Sequence, residues 1–329
     1  MDNYIVFDLE WNQSPRGKED SIENFPFEII EIGAVKLDEQ LNMAGEFHRL
    51  IRPQVYTQMH YMISEVTHMN MADLRDHGED FVTAAADFIR WCGDEAVFCT
   101  WGSMDLTELQ RNLTFYGMDN PFAYPLFYYD IQKLYGLLHA EGSKLSLDTA
   151  VDALAVREER PFHRALDDAY YTGRVMAQMG FDAMKPYLSI DYFRLPENPE
   201  SEIRINFPSY SKYVSRIFDD KEAAMRDRGV TEMKCYQCGR TLRKKVRWFT
   251  PNQKIYYGLA SCPEHGYLKG KIRIKRVDDT RVYVVRTLKL TDEDGAQKIL
   301  GRKEDVRRKR SERNKAKRHR AREEKEAEE

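Results

Sequence analysis

Residues 4–13, "YIVFDLEWNQ", form an apolar run interrupted by two carboxylates. In a strand, residues i and i+2 point to the same face, so Asp8 and Glu10 project side by side. Burial and mutual repulsion both raise the cost of ionising such a pair. Two arrangements relieve that cost. The strand can end in solvent, or a divalent cation can sit between the carboxylates. The second requires a fold that buries this strand and brings further oxygen ligands to its end from distant parts of the chain.

The pattern downstream suits such a fold. "EIIEIGAVKL" (28–37) and "GEFHRLIRP" (45–53) have strand character, the first with almost continuous apolar residues. "DFVTAAADFIRWC" (80–92) has the spacing of an amphipathic helix, and "AVFCTWG" (96–102) that of a short buried strand. Helices are predicted over 104–116, 128–138, 145–154 and 164–179. Strands interleaved with helices predict an α/β domain with a mixed sheet. The stretch "RLPENPESEIRINFPSYSKY", rich in Pro, Asn, Ser and Tyr, has the composition of a linker. A small β-rich unit follows, and then an almost purely charged tail.

Two further segments supply acids. "TWGSMDL" places Asp105 just beyond the second buried strand, and "HRALDDA" places His163 before, and Asp168 within, a late helix. Taken in order, Asp8-x-Glu10, Asp105 and His163-x-Ala165-x-x-Asp168 resemble the motifs of the DEDDh exonucleases, the RNase T and oligoribonuclease group that includes a polymerase proofreading subunit. "EIIEIGAVKL", "ISEVTHMN" and "LSLDTAVDAL" resemble that group's second strand, its short substrate-facing helix and the helix before its last motif. The resemblance spans roughly residues 1–182. It implies an RNase H-like mixed sheet flanked by helices, two Mg2+ or Mn2+ ions, and removal of nucleoside 5′-monophosphates from a 3′ end. It further implies that Asp8 bridges both ions, that Glu10 and Asp168 complete one site, that Asp105 acts through water, and that His163 is the general base. Trp101-Gly102 before Asp105 resembles enzymes that trim RNA ends. RNA is therefore the expected substrate. Single-stranded DNA, or a non-catalytic RNA-binding role on the same fold, are the alternatives. The chain departs from the pattern at Trp11, where many members have Thr, and in the inserted "NQSPRGKEDSIENFPFE". Trp11 either stacks on a base or belongs to the core, and Leu9 beside it is a candidate substrate contact.

A second metal site is legible without resemblance. "CYQCGR" and "CPEHGY" place Cys235, Cys238, Cys262 and His265 in a C-x2-C and C-x2-H array. This is the ligand set of a closed structural Zn2+ site in a zinc-ribbon-like module. Gly239 and Gly266 follow the two pairs, where a tight knuckle calls for positive φ. Cys92 and Cys99 have no such partners and are expected in the core.

The net charge of −3 conceals a division along the chain. Residues 1–230 carry 22 Lys/Arg against 39 Asp/Glu, whereas residues 231–290 carry 15 against 4. An acidic body suits metal, and a basic appendage suits a polyanion. Arg247, Trp248, Tyr256 and Tyr257, among the basic strands, are candidate nucleic-acid contacts through charge and stacking. The same module is the place where a protein partner could dock. The expected organisation is an exonuclease domain (1–182), a linker or docking segment (183–230), the zinc module (231–290) and a helical or disordered tail (291–329). No apolar run has the length of a membrane span, the N-terminus lacks a basic signal-like region, and the five cysteines are odd in number. These features lead to the expectation of a cytoplasmic protein without membrane contact.

Overall fold

The computed structural model describes residues 3–252 and 254–328, with the backbone alone for Lys18 and 317–328. The chain divides into two compact units, Met1–Arg194 and Leu195–Glu329. Among the described residues, no helix is long and apolar enough to cross a membrane.

The first unit is built on a six-stranded mixed sheet in the order β3-β2-β1-β4-β5-β6. Its strands are β1 (Asn3–Asn12), β2 (Glu28–Leu37), β3 (Met43–Leu50), β4 (Ala96–Thr100), β5 (Phe127–Asp130) and β6 (Ser189–Ile190). β1 pairs antiparallel with β2 and parallel with β4. The helices are α1 (Tyr61–Thr67), α2 (Met71–His77), α3 (Phe81–Cys92), α4 (Met104–Phe115), α5 (Ile131–His139), α6 (Leu147–Ala153) and α7 (Ala165–Gln178).

The two-residue period of β1 sorts the core into two layers. Ile5, Phe7 and Leu9 pack with α3 and α4 residues such as Phe88 and Leu106. Tyr4 and Val6 face the other way, with Tyr171, Val175 and Met176 of α7. Asp8 and Glu10 continue the second series, so the same alternation that builds the core aims both carboxylates toward α7. Cys92 and Cys99 are buried in the two cores, and burial pushes the Cys92 thiol up to about 12.

The helix expected over 128–138 begins later. Tyr128 and Tyr129 lie in β5, paired in parallel with Phe98 and Cys99, and the helix starts at Ile131. Aromatic residues suit a half-buried pleated surface, and here pairing with β4 prevails over helical spacing.

The second unit is an antiparallel six-stranded sheet in the order β7-β8-β12-β11-β10-β9. β7 (Ile203–Asn206) and β8 (Ser211–Val214) come from the segment expected to be a linker. Ile203, Tyr213 and Val214 are buried, so a few apolar residues override the loop-like composition around them. α8 (Lys221–Arg226) and α9 (Arg228–Thr231) follow. β9 (Lys244–Phe249), β10 (Ile255–Cys262), β11 (Gly266–Arg276) and β12 (Val282–Thr291) complete the sheet. The segment expected to be a zinc module is thus embedded in a larger sheet. The charged tail is one helix, α10 (Glu293–Glu328), whose Ala296 and Ile299 bury against Val246 and Leu259.

Candidate active site and zinc cluster

The carboxylates read from sequence converge. Asp8 and Glu10 on β1 and Asp168 in the first turn of α7 each offer an oxygen, and these atoms lie within 4.8 Å of one another. Asp105 sits in the first turn of α4, almost fully buried, with its carboxylate held by the backbone N–H of Leu9. It lies outside that tight trio. His163 is exposed, has a left-handed φ of 68°, and donates its backbone N–H to Asp168 Oδ1 at 3.2 Å.

Crowding shows in the protonation of the acids. Burial first, then Asp105, Glu10 and Asp168, hold Asp8 well above the ordinary carboxylate range. Glu10 is pushed up to about 8 by burial and by Asp168, Glu31 and Asp105. Burial also lifts Asp105 to about 7 and Asp168 to about 6, against hydrogen bonds from backbone N–H groups. Converging oxygens with uncompensated negative charge are what a hard divalent cation requires, so the residues fit such ions.

Three residues outside the sequence reading build this geometry. Gly33 lies opposite Asp8 on β2, and a Cβ there would stand 1.9 Å from Leu166 N. Its bare backbone lets the start of α7 rest directly on the sheet, which delivers Asp168 to Asp8. Glu31, fully buried and paired with Glu10 across the strands, is already satisfied. It accepts from Arg164 Nη2 at 2.6 Å and from Ala165 N at 3.2 Å, and His48 Nε2 lies 2.6 Å away. Burial would raise its pKa, but His48 and Arg164 hold it below the ordinary range, so it stays an anion bound to the N-terminus of α7. Arg164 thereby ties the His163 loop to β2. A glycine in mid-strand was the available sequence signal, since it often marks a close backbone approach.

The expected substrate contacts fare differently. The Leu9 side chain is buried in the core opposite the carboxylates, so it is not available to substrate. Trp11 is partly buried against the same core, with its ring 5.6 Å from that of Phe27. Trp248 packs over Gly258 and Gly270 and donates Nε1–H to Thr231 O at 2.8 Å. Tyr256 joins it against the core shared with Ile272 and Val284. Both rings pack against the sheet and remain partly exposed. Tyr257 packs with Val246 and Leu259 and carries Arg302 over its ring at 4.5 Å. Arg247 is exposed.

Cys235, Cys238, Cys262 and His265 form the second converging group. Cys238 Sγ and Cys262 Sγ are 3.7 Å apart, and His265 Nδ1 lies 3.6 Å from Cys235 Sγ and 3.5 Å from Cys262 Sγ. Zn–S bonds of about 2.3 Å place tetrahedral sulfurs roughly 3.8 Å apart, so the cluster has the dimensions of a zinc site. Gly239 and Gly266 have φ of 71° and 78°, as the knuckles require. Burial opposes ionisation of Cys262, yet hydrogen bonds from His265 and from backbone N–H groups pull it down to about 6. Cys262→Ser should therefore abolish stoichiometric zinc binding, measured by elemental analysis, and lower the melting temperature of the second unit.

A family-level comparison matches residues 5–176 to RNase T, described as exonuclease. The chain belongs to the RNase T exonuclease family. It is a nuclease, and membership implies divalent Mg2+ or Mn2+ at the carboxylates. Among solved structures, the nuclease domain of 3′hExo, a DEDDh family member bound to rAMP, is similar at 24% identity. That match covers 58% of this chain and 96% of the other, with a TM-score of 0.49. E. coli exonuclease I with a dA16 oligonucleotide is similar at 14% identity over 79% of this chain and 55% of the other, with a TM-score of 0.49. A 3′-exonuclease with a histone mRNA stem-loop is similar at 20% identity over 59% and 72%, with a TM-score of 0.46. None of the curated protein sequences matches this chain.

Proposed function

We propose that the protein is a 3′–5′ exonuclease that shortens RNA and releases nucleoside 5′-monophosphates. The observation that carries this reading is the convergence of Asp8, Glu10 and Asp168 within 4.8 Å, with His163 at the rim tied to Asp168. Asp8, Glu10 and Asp168 would hold the ions directly, with Asp8 shared between them, and Asp105 would act through water. When bound, the ions polarise the phosphodiester and stabilise the attacking and leaving oxygens. The chain's own groups do the rest. His163, exposed and on a fixed left-handed backbone, takes a proton from the attacking water at its imidazole. The water oxygen bonds to phosphorus, the bond to the 3′ oxygen of the preceding nucleotide breaks, and that oxygen takes a proton from solvent. Glu10 would also hold the terminal 3′ hydroxyl. RNA is favoured by the resemblance around Trp101-Gly102. The acidic first unit and the basic second unit support a division of labour, the first for chemistry and the second for grip on the polyanion.

The test is degradation of 5′-labelled RNA and DNA with Mg2+, with EDTA and with Mg2+ restored in excess. Stepwise shortening from the 3′ end with 5′-monophosphate products supports the reading. Products cut from the 5′ end, or carrying 3′-phosphates, overturn it, and equal rates on DNA remove the RNA preference. His163→Ala should lower turnover by roughly two to four orders of magnitude, the usual contribution of a positioned base, with Mg2+ affinity little changed. A large loss of Mg2+ binding with unchanged saturated turnover would make it a ligand instead.

A further inference from the structure

Where α10 runs beside the β9–β10 hairpin, the second unit has an open groove of about 560 Å3. Arg302, Lys309, Arg310 and Arg313 line it from the helix. Positions i, i+7, i+8 and i+11 fall on one helical face, and 11 residues rise about 16 Å along the axis. The groove's acid, Asp305, is paired with Arg308 at 2.7 Å. Among the described residues, none of the four cations forms an ion pair. Arg302 is held over the Tyr257 ring at 4.5 Å, which fixes the guanidinium while leaving its N–H fork open. More positive charge lies nearby: burial first, then Arg273 and Arg302, hold the Lys271 ammonium below its ordinary pKa. A row of exposed cations without protein counter-ions attracts an anion that repeats along the same line.

We infer that this groove is a track for the sugar–phosphate backbone of single-stranded RNA, with Arg302 at one end and Lys309, Arg310 and Arg313 clustered toward the other, each meeting a phosphate, and with Tyr257 as the shelf that positions Arg302. At about 3.4 Å per stacked phosphate, 16 Å of helix spans roughly four or five nucleotides. The polyanion is taken to be RNA because the inference rests on the nuclease reading. The track itself is a separate site from the carboxylates.

The test is a salt titration of RNA binding by the full chain, without added divalent metal and without chelator, so that zinc is kept. Alanine at Arg302, Lys309, Arg310 and Arg313 together preserves helix propensity on an exposed face. The log–log slope should fall by about 3, at roughly 0.7 per lost contact on a single strand, and affinity at low salt by more than tenfold. Replacing the three arginines by lysine should retain most of the slope. Tyr257→Phe should bind as the unsubstituted protein does, whereas Tyr257→Ala should weaken binding. An unchanged slope in the alanine variant overturns the track. An equal loss in the lysine variant also overturns it, because the effect would then be structural. Hydrolysis of a dinucleotide by the unsubstituted protein, run in parallel, tests the nuclease reading separately, and its failure would leave the binding result standing.

Discussion

Asp8→Asn should lose Mg2+-dependent cleavage and gain stability without metal. The substitution keeps the shape of the side chain and removes the charge proposed to bridge two ions. That charge stabilisation is worth several kcal/mol at the transition state, so the rate should fall by about three orders of magnitude or more. The stability half follows from the protonation of the site. Folding raises Glu10 to about 8, Asp105 to about 7 and Asp168 to about 6, all above their unfolded values. A folded state that binds more protons than the unfolded one loses stability as pH rises. The metal-free protein should therefore be most stable near pH 4, through these groups, and weaken steadily up to about pH 8. Asn at position 8 removes a buried carboxyl that must take up a proton or carry an uncompensated charge on folding, and so flattens that decline. Thermal denaturation in a pH series, with and without Mg2+, measures it. Added Mg2+ should reverse the trend for the unsubstituted protein and have much less effect on the variant. Cleavage that survives in Asp8→Asn would rule out the bridging role.

How much of this site could be read from the chain depended on whether the signal was local. Asp8 and Glu10 were legible because a two-residue period says where both point before any partner is known. Cys235, Cys238, Cys262 and His265 were legible because closed zinc sites impose short, fixed spacings. Asp105 and Asp168 became legible only as members of an ordered set, since each alone is an acid at the start of a helix. Glu31 was hidden inside a largely apolar strand, and its partner Arg164 lies 133 residues away. β5 was hidden because Tyr128 and Tyr129 suit either a strand or the first turn of the helix that follows. β7 and β8 were hidden by the Pro, Asn and Ser around them, although the burial of Ile203 and Val214 rests on those few residues alone. The packing of Trp248 was hidden too: flanked by basic residues it has the look of a stacking aromatic, and the two glycines on neighbouring strands that open a slot for it lie further along the chain.

Gly33→Ala should disable the enzyme without touching any group that meets substrate. The Cβ would stand 1.9 Å from Leu166 N and 2.1 Å from Ala165 C, and both are backbone atoms that cannot rotate away. The start of α7 must lift off β2, and Asp168 and His163 move with it. A displacement of about 1 Å in a catalytic group can cost roughly 10²-fold, and here two groups shift together relative to Asp8 and Glu10. Overpacking of this kind costs about 1–3 kcal/mol, so the melting temperature should fall while the protein still folds. Gly45→Ala supplies the comparison, because it lies on the adjacent strand β3 and its added Cβ would meet only Trp91 at an ordinary 3.7 Å. Both substitutions remove a strand glycine, but only the first presses on the start of the helix that carries the acid and is preceded by the base. Turnover of short RNA, Mg2+ affinity and thermal melting should separate them, with Gly45→Ala near the unsubstituted protein. A Gly33→Ala protein with normal turnover would mean that the approach of α7 to β2 does not set the distance between Asp168 and the carboxylates of β1.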